Sequence, residues 1–438
     1  MFCKTIWHGL YILPHGDIRL CSIATNSNSK LDGNAARDKN GNLMNILTHS
    51  IKEIMNSDKH CEVRALNQKD PSAWSAHCDC CQNREIITNF DRTHTNKSRR
   101  IYLNNMIDTS DTATEDNFVS TAAEDGSVDW YPASLDIRFG NLCNQKCIMC
   151  SPEFSNLWYD DWHEWTGGLK TFHNNRPVNL VKNENGKWIA PDELSWYDDP
   201  RWWPKFEEMM PHLKHIYVTG GEPMVVPAHD IMLDKLIDSG FAKNIVIEYD
   251  TNATVVNDKL AERWYHFKKV DIRISMDSIK DQYEIIRSGG KWSKFIKNVE
   301  KLKEYEKESN KQITVSALTT CFQMTTAHSI LEAEEWCKSI GVNFHIRFLE
   351  GPPHHRVLHL PVDARDELIK LYTKSDSEKA KMIVRFLQGN KDSFVSDHKH
   401  VHTFVRFMNF LDSRRKTNWQ TVFPELTGML HRYNFITG

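Results

Sequence analysis

The chain has no apolar run approaching the roughly 18 residues that a membrane-spanning helix needs, so no membrane span is expected. Its first residues, Met1-Phe-Cys-Lys-Thr-Ile-Trp-His, lack a charged region followed by an apolar stretch, so they do not read as a signal peptide. There is no strong excess of charge of either sign. The 55 Lys and Arg stand against 58 Asp and Glu, a net charge of −3, which argues against nucleic acid as a partner. Internal repeats are absent. With 40% hydrophobic and 26% charged residues over 438 positions, what remains is a cytoplasmic globular protein of two or three domains. A reducing compartment disfavours disulfides, so the 11 cysteines are expected to do metal or redox work.

Their placement supports this. Nine of the 11 lie in the first 150 residues, and three of them form Cys143-Asn-Gln-Lys-Cys147-Ile-Met-Cys150 directly after a strand-like segment, Leu135–Phe139. Three thiolates suit a soft iron–sulfur cube. They leave one iron of a [4Fe–4S] cluster open to a small molecule that binds through an amine and a carboxylate. A zinc knuckle would need a fourth ligand. The next histidine, His163, falls outside the loop, in a tryptophan-rich segment.

From residue 131 the pattern repeats strand, loop, helix. Strands are expected at Leu135–Phe139, His215–Thr219, Asn244–Tyr249, Asp271–Met276, Ile313–Thr320 and Phe344–Leu349. This is an α/β chain with a partial barrel of six βα units. One of its helices is expected at Ser329–Ile340, ended by Gly341. In such barrels the reacting groups stand at the C-terminal strand ends, where Cys143, Gly220, Asn252, Asp277 and Cys321 all fall.

The second strand runs into Gly220-Gly221-Glu222-Pro223. Paired glycines let a ligand approach the backbone, and Glu222 can accept hydrogen bonds from an ammonium. Asn252, Ser275 and Asp277 are placed to bond ribose hydroxyls or the amino-acid end of a ligand, and Arg287 to pair with a carboxylate. Each also reads as ordinary strand-end turn chemistry or, for Arg287, a surface cation. Cys321 reads as a structural thiol before it reads as a cavity residue.

Residues 1–98 form a small α+β module. Trp7–Leu13 and Ile18–Ser22 read as a hairpin about Pro14-His-Gly-Asp17, followed by a helix from about Leu47. Cys3, Cys21, Cys78 and Cys81 supply four thiolates, with Cys80 as an alternative to either of the last two. Spacing leaves zinc and iron–sulfur equally open there. Cys61 reads as a small buried hydrophobe. Residues 99–130 read as a polar linker and 353–438 as a C-terminal helical extension with an apolar stripe at Val401, Phe404, Val405, Met408 and Leu411. His354, His355 and His359 read as surface or loop residues. The insertion 153–210 holds seven tryptophans, half of the 14, and reads as helical packing over the barrel or as an aromatic substrate lid.

The cysteine loop followed by Gly220–Pro223 resembles the radical SAM superfamily. The wider pattern is similar to its twitch-domain (SPASM-like) proteins: Cys3…Trp7…Cys21, Cys78–Cys81–Glu85, and Leu135-Asp-Ile-Arg-Phe-Gly-Asn-Leu-Cys-Asn144. The likeness covers residues 1 to about 350. It departs in one respect: no cysteine follows Cys337, where many relatives place auxiliary-cluster ligands. The resemblance implies S-adenosylmethionine (SAM) on a [4Fe–4S] cluster held by Cys143, Cys147 and Cys150. It implies an auxiliary iron–sulfur cluster rather than zinc at the N-terminal cysteines, and a reducing donor such as flavodoxin or ferredoxin. It implies reductive cleavage of SAM to a 5′-deoxyadenosyl radical that abstracts hydrogen from a peptide or protein side chain. A sugar or nucleotide substrate, and a non-catalytic iron–sulfur or zinc scaffold, are the alternatives.

Overall fold

Branched and aromatic residues at alternate positions build a sheet of eight strands, and a second pair of strands lies apart from it. The computed structural model describes residues 3–21, 35–70, 78, 121–168, 180–190, 194–390 and 397–436. The strands are β1 (Gly9–Ile12), β2 (Ile18–Arg19), β3 (Ser134–Arg138), β4 (Val181–Lys182), β5 (Trp188–Ile189), β6 (His215–Thr219), β7 (Val246–Thr251), β8 (Lys269–Ser275), β9 (Ile313–Phe322) and β10 (Phe344–Phe348). The main sheet runs β10-β9-β8-β7-β6-β3-β1-β2. The six strands expected from sequence are all present and parallel. Helices connect them, as parallel pairing requires, and the sheet stays an open, partial barrel. Ile137, Ile216, Val218, Ile247, Tyr249, Ile272 and Ile274 are fully buried on the helix-facing side.

The opposite face is polar. Ser134 Oγ and His215 Nδ1 are 3.0 Å apart, and His215 Nε2 lies 3.2 Å from Glu248. Arg273 pairs with Glu248 at 2.5 Å and Asp250 at 2.7 Å, and Asp250 also takes the Tyr217 hydroxyl and Arg347. Burial alone would raise the pKa of Asp250. Arg273, then Arg347, outweigh it and hold the carboxylate well below its usual range. The concave face is thus a chain of charged hydrogen bonds rather than an apolar core.

The N-terminal hairpin belongs to the same sheet. β1 and β2 pair antiparallel through Tyr11–Arg19 and Ile12–Ile18, while β1 pairs parallel with β3 over four residues, Gly9–Ser134 to Ile12–Ile137. The strand begins later than the sequence suggests. Trp7 lies in a short helix, Lys4–His8, fully buried beneath Trp130. The expected helix after Leu47 is Ile51–Met55, started by a capping box of Ser50 and Glu53. A second helix follows at Asp58–Lys69.

The helix Ile330–Ser339 and the C-terminal helices appear as expected. The longest, His398–Arg415, buries Val401, Phe404, Val405, Phe407, Met408 and Leu411. Each such side chain is worth about 1.5–3 kcal/mol. The exposed Arg414–Glu164 pair is worth about 0–1 kcal/mol, so the apolar stripe docks this helix. His354, His355 and His359 are buried against it rather than exposed. His355 lies edge-on to Phe404 and Phe407 at 5.4 and 5.5 Å. Neutral imidazole packs there as an aromatic ring, which the loop-like sequence around Pro352 and Pro353 does not show.

Burial pushes His354 and His359 down to about 4 and His355 further. These rings resist protonation only when folded. Their contribution to stability is complete above the unfolded value of 6.5 and is lost as pH falls toward 4. The unfolding midpoint should therefore drop over that window, and His355→Phe should flatten the drop. Parallel curves for the two proteins would assign the acid sensitivity elsewhere.

Candidate functional site

The cysteine loop leaves the C-terminal end of β3 through Gly140, at φ +58°, where a Cβ would sit 2.0 Å from the Leu194 carbonyl oxygen. Backbone bonds then fix the loop on one side: Lys146 N–H to Ser288 O and Ile148 N–H to Ile286 O, both 2.9 Å. Side chains fix the other. Asn156 accepts from Cys143 N–H at 3.1 Å, Asn141 donates to Pro152 O and Tyr159 at 2.6 Å, and Trp158 Nε1 donates to Cys147 O at 3.2 Å.

The thiols of Cys143, Cys147 and Cys150 are half-buried. Burial pushes Cys143 up to about 12, with Cys147 the next cause. Cys150 is pushed well up by burial, then by Cys147 and Cys143. The three are therefore close enough to act on one another. Among the described residues, no three His, Cys, Asp or Glu side chains are grouped as ligands of a single metal ion. The donor set itself fits a cluster: three soft thiols whose ionisation is unfavourable until cationic iron arrives, with Arg287 Nη1 3.7 Å from Cys147 Sγ and Arg415 also acting on that thiol.

The turn after β6 lies against this loop. Gly220 is at φ +126°, and a Cβ on Gly221 would stand 2.2 Å from Leu142 O. Glu222 N–H donates to that same oxygen at 2.8 Å. The buried Glu222 carboxylate accepts from Thr251 Oγ1 at 2.6 Å, Asn252 N–H at 2.7 Å and Met224 N–H at 3.3 Å. Burial raises its pKa against those bonds. Asn252 Nδ2 donates to Asn144 at 3.0 Å, and Asn144 in turn to Thr254 at 2.7 Å. Glu222 and Asn252 thus bond to each other and, through Leu142 and Asn144, to the cysteine loop.

Asp277 and Arg287 also meet. Arg287 Nη2 lies 2.7 Å from Asp277 Oδ2, its Nη1 is 3.7 Å from Cys147 Sγ, and Cys321 N–H donates to Asp277 Oδ1 at 2.8 Å. Burial acts to lower the Arg287 pKa; Asp277, then Cys147, outweigh it and keep the guanidinium charged. Asp277 sits at φ +63°, a left-handed conformation that aspartate tolerates better than most residues. Ser275 ends β8, half-buried, two residues before it.

At the other cysteine group, Cys3, Cys21 and Cys78 pack on one small cluster of Ile6, Leu20 and Val63. Cys21 also packs with Ala133 on Tyr11. Cys61 is half-buried on the helix Asp58–Lys69. Cys81, Cys80 and Glu85 lie outside the described residues. Sequence reasoning missed Gly289-Gly290, where a Cβ would meet Asn144 O at 2.9 Å and Gln145 Nε2 at 2.6 Å. The signal was a second glycine pair two residues after Arg287. It also missed Arg415. Six of the seven insertion tryptophans are packing residues: Trp158, Trp196 and Trp202 are buried, and Trp162, Trp165 and Trp203 pack on the core, while Trp188 is half-buried and stacks on His163 at 3.9 Å.

Residues 137–337 match the Radical SAM superfamily. The chain carries a radical SAM domain. Ahead of it, residues 3–82 match the iron–sulfur cluster-binding domain SPASM. The cofactors of a radical SAM domain are a [4Fe–4S] cluster and SAM, and a SPASM domain adds auxiliary iron–sulfur binding. No curated protein matches the chain. Among solved structures, anSMEcpe with bound AdoMet and Cp18Cys peptide is 17% identical, covering 59% of this chain and 61% of its own, with a TM-score of 0.34. Streptococcus suis SuiB bound to S-adenosylmethionine is 14% identical over 76% and 66%, TM-score 0.36. SuiB bound to precursor peptide SuiA is 14% identical over 56% and 46%, TM-score 0.33. The chain thus spans about three fifths of the length of anSMEcpe. Among the described residues no helix is long and apolar enough to cross a membrane.

Gly221→Ala should push the loop off β6. Overpacking typically costs about 1–3 kcal/mol, and here it falls on backbone. The variant should fold yet hold less iron at this loop after anaerobic reconstitution. Iron content equal to wild type would show that the close contact does not matter.

Proposed function

We propose that the chain is a radical SAM enzyme that abstracts hydrogen from a substrate, with a peptide or protein side chain as the substrate class. The observation that carries this reading is the contact between the three-cysteine loop and the Gly221–Glu222 turn, inside a segment that matches the radical SAM superfamily. Cys143, Cys147 and Cys150 would hold the cluster. When bound, the cluster supplies one electron and SAM supplies the carbon-centred radical that removes a hydrogen atom.

The chain's own residues shape where this takes place. Gly220 and Gly221 let the cysteine loop close directly onto the strand end. Glu222 and Asn252 are held rigid by mutual bonds, so a ligand amine meets acceptors already oriented. Asp277 and Ser275 offer oxygens to ligand hydroxyls, and Arg287 holds Asp277 in place at 2.7 Å. Trp158, stacked on Phe407, excludes water from the back of the loop. Cys3, Cys21, Cys78 and Cys81 would hold the auxiliary cluster; three of them share one apolar patch.

The peptide reading rests on the auxiliary iron–sulfur domain joined to the radical domain. The charged concave face of Glu248, Asp250, Arg273 and Arg347 favours polar substrates, and on that ground a sugar or nucleotide is the second reading. A reducing protein such as flavodoxin or ferredoxin would deliver the electron.

The reconstituted protein should release 5′-deoxyadenosine from SAM under dithionite, and Cys147→Ala should abolish release while iron at the N-terminal group persists. Absence of release from a fully loaded protein would sink the enzyme reading. Replacing Cys3 and Cys21 together should lower the iron content without removing SAM binding. Retention of all the iron would refute the auxiliary assignment. A mass loss of hydrogen in a co-expressed peptide selects the peptide reading. An unchanged peptide with altered sugars or nucleotides selects the second.

A further inference from the structure

Gln145 stands in the loop between Cys143 and Cys147 and is 1% exposed. Its backbone carbonyl accepts from Ser155 Oγ at 2.6 Å, which fixes where the side chain starts. The side chain ends against a thiol: Cys147 Sγ donates to Gln145 Oε1 at 3.7 Å. On the other side, Gln145 Nε2 donates to the Tyr283 hydroxyl at 3.3 Å. Gly290 closes the cage, since a Cβ there would stand 2.6 Å from Nε2 and 2.8 Å from the Tyr283 oxygen.

This arrangement satisfies only part of what it buries. Tyr283 is fully buried. Its oxygen accepts from Gln145, and among the described residues its own proton has no acceptor. A buried hydroxyl proton left without one is costly. The other end holds only while the thiol keeps its hydrogen, because an amide oxygen can accept and cannot donate. A sulfur bound to iron has no hydrogen to give. Oε1 and Sγ then face each other as two acceptors. A half-turn of the terminal amide exchanges its nitrogen and oxygen, moves no other heavy atom and removes both faults. A second donor already points at the same sulfur: Arg287 Nη1 at 3.7 Å, with Arg287 held by Asp277 at 2.7 Å.

Resting on the reading that Cys143, Cys147 and Cys150 hold the cluster, we propose that Gln145 is a positioning residue whose side-chain amide turns over when iron binds, so that Nε2 donates to Cys147 Sγ and Oε1 takes the Tyr283 hydroxyl proton. The Cys147 sulfur then receives two N–H groups, from Gln145 and from Arg287. Hydrogen bonds to a ligating sulfur favour the reduced, more negative state. Gln145 acts through that sulfur and touches no reacting atom. Tyr283, which both donates and accepts, is what lets one cage serve the empty and the loaded loop.

The test is a potentiometric titration of the reconstituted full-length protein with dithionite, following by electron paramagnetic resonance the reduced-cluster signal that responds to added SAM. Gln145→Leu should move the reduced-to-oxidised ratio at fixed potential about tenfold toward oxidised, about 59 mV for one electron. The sign is decisive. An amide oxygen still facing the sulfur would disfavour the reduced state, and its removal would move the ratio the other way. Tyr283→Phe, which takes away the proton that holds Oε1 off the sulfur, should shift the ratio in the same direction as Gln145→Leu and by less. Ser155→Ala, which frees only the Gln145 backbone, should lower the melting temperature and leave the potential unchanged. No shift or a shift toward reduced in Gln145→Leu, or an equal shift in Ser155→Ala, overturns the inference. Should Gln145→Leu fail to take up iron, Tyr283→Phe decides by the same signs. A SAM-responsive signal that survives unchanged in Cys147→Ala would instead sink the loop assignment itself.

Discussion

One oxygen atom carries much of the site. Leu142 O receives the Glu222 N–H and sits where a side chain on residue 221 would be. The cysteine loop, which follows β3, is thereby pinned to the end of β6, three strands on in chain order and adjacent in the sheet. From that contact the rest follows outward. Glu222 is committed to Thr251 and Asn252, Asn252 to Asn144, and Asn144 returns to the loop. The cycle closes on itself, so no single side chain in it can rotate without breaking a bond elsewhere.

The other side of the loop is held by different chemistry. Polar bonds join it to the barrel, but apolar and aromatic contacts join it to the C-terminal helix through Trp158 and Phe407. The backbone bonds to Ser288 and Ile286 make the third support. A loop supported from three directions can carry thiols in a surrounding that disfavours their charge, because the energy is distributed over many contacts rather than one strained bond.

The barrel was largely legible in the chain, and for a clear reason. Parallel strands buried by helices need branched apolar runs, and those at Ile216–Val218 and Ile272–Ile274 have no competing reading. The cysteine loop was legible because thiols at such spacing have few uses. What the strand-end residues do was not. Glu222, Asn252 and Asp277 follow strand ends, but their partners, and that of Arg287, lie on other elements, and pairing between such ends leaves no local pattern. Arg415 was invisible for the same reason, since a cation in a helix's last turn reads as ordinary surface charge. The histidines after Pro353 misled in the opposite direction: polar residue type suggested exposure, while the neutral ring suits a pocket of phenylalanines.

The parallel pairing of β1 with β3 gives the molecule a polarity. Cys143 follows the upper end of β3, whereas Cys3 precedes β1 through a single helical turn and Cys21 follows the descending β2, packed beside Ala133 at the foot of β3. The two cysteine groups therefore stand at opposite poles of one sheet edge. Their separation is set by the rise of four residues in neighbouring strands, about 3.3 Å each, plus the short segments at either end. Any electron passing from one group to the other would have to travel the length of that shared edge.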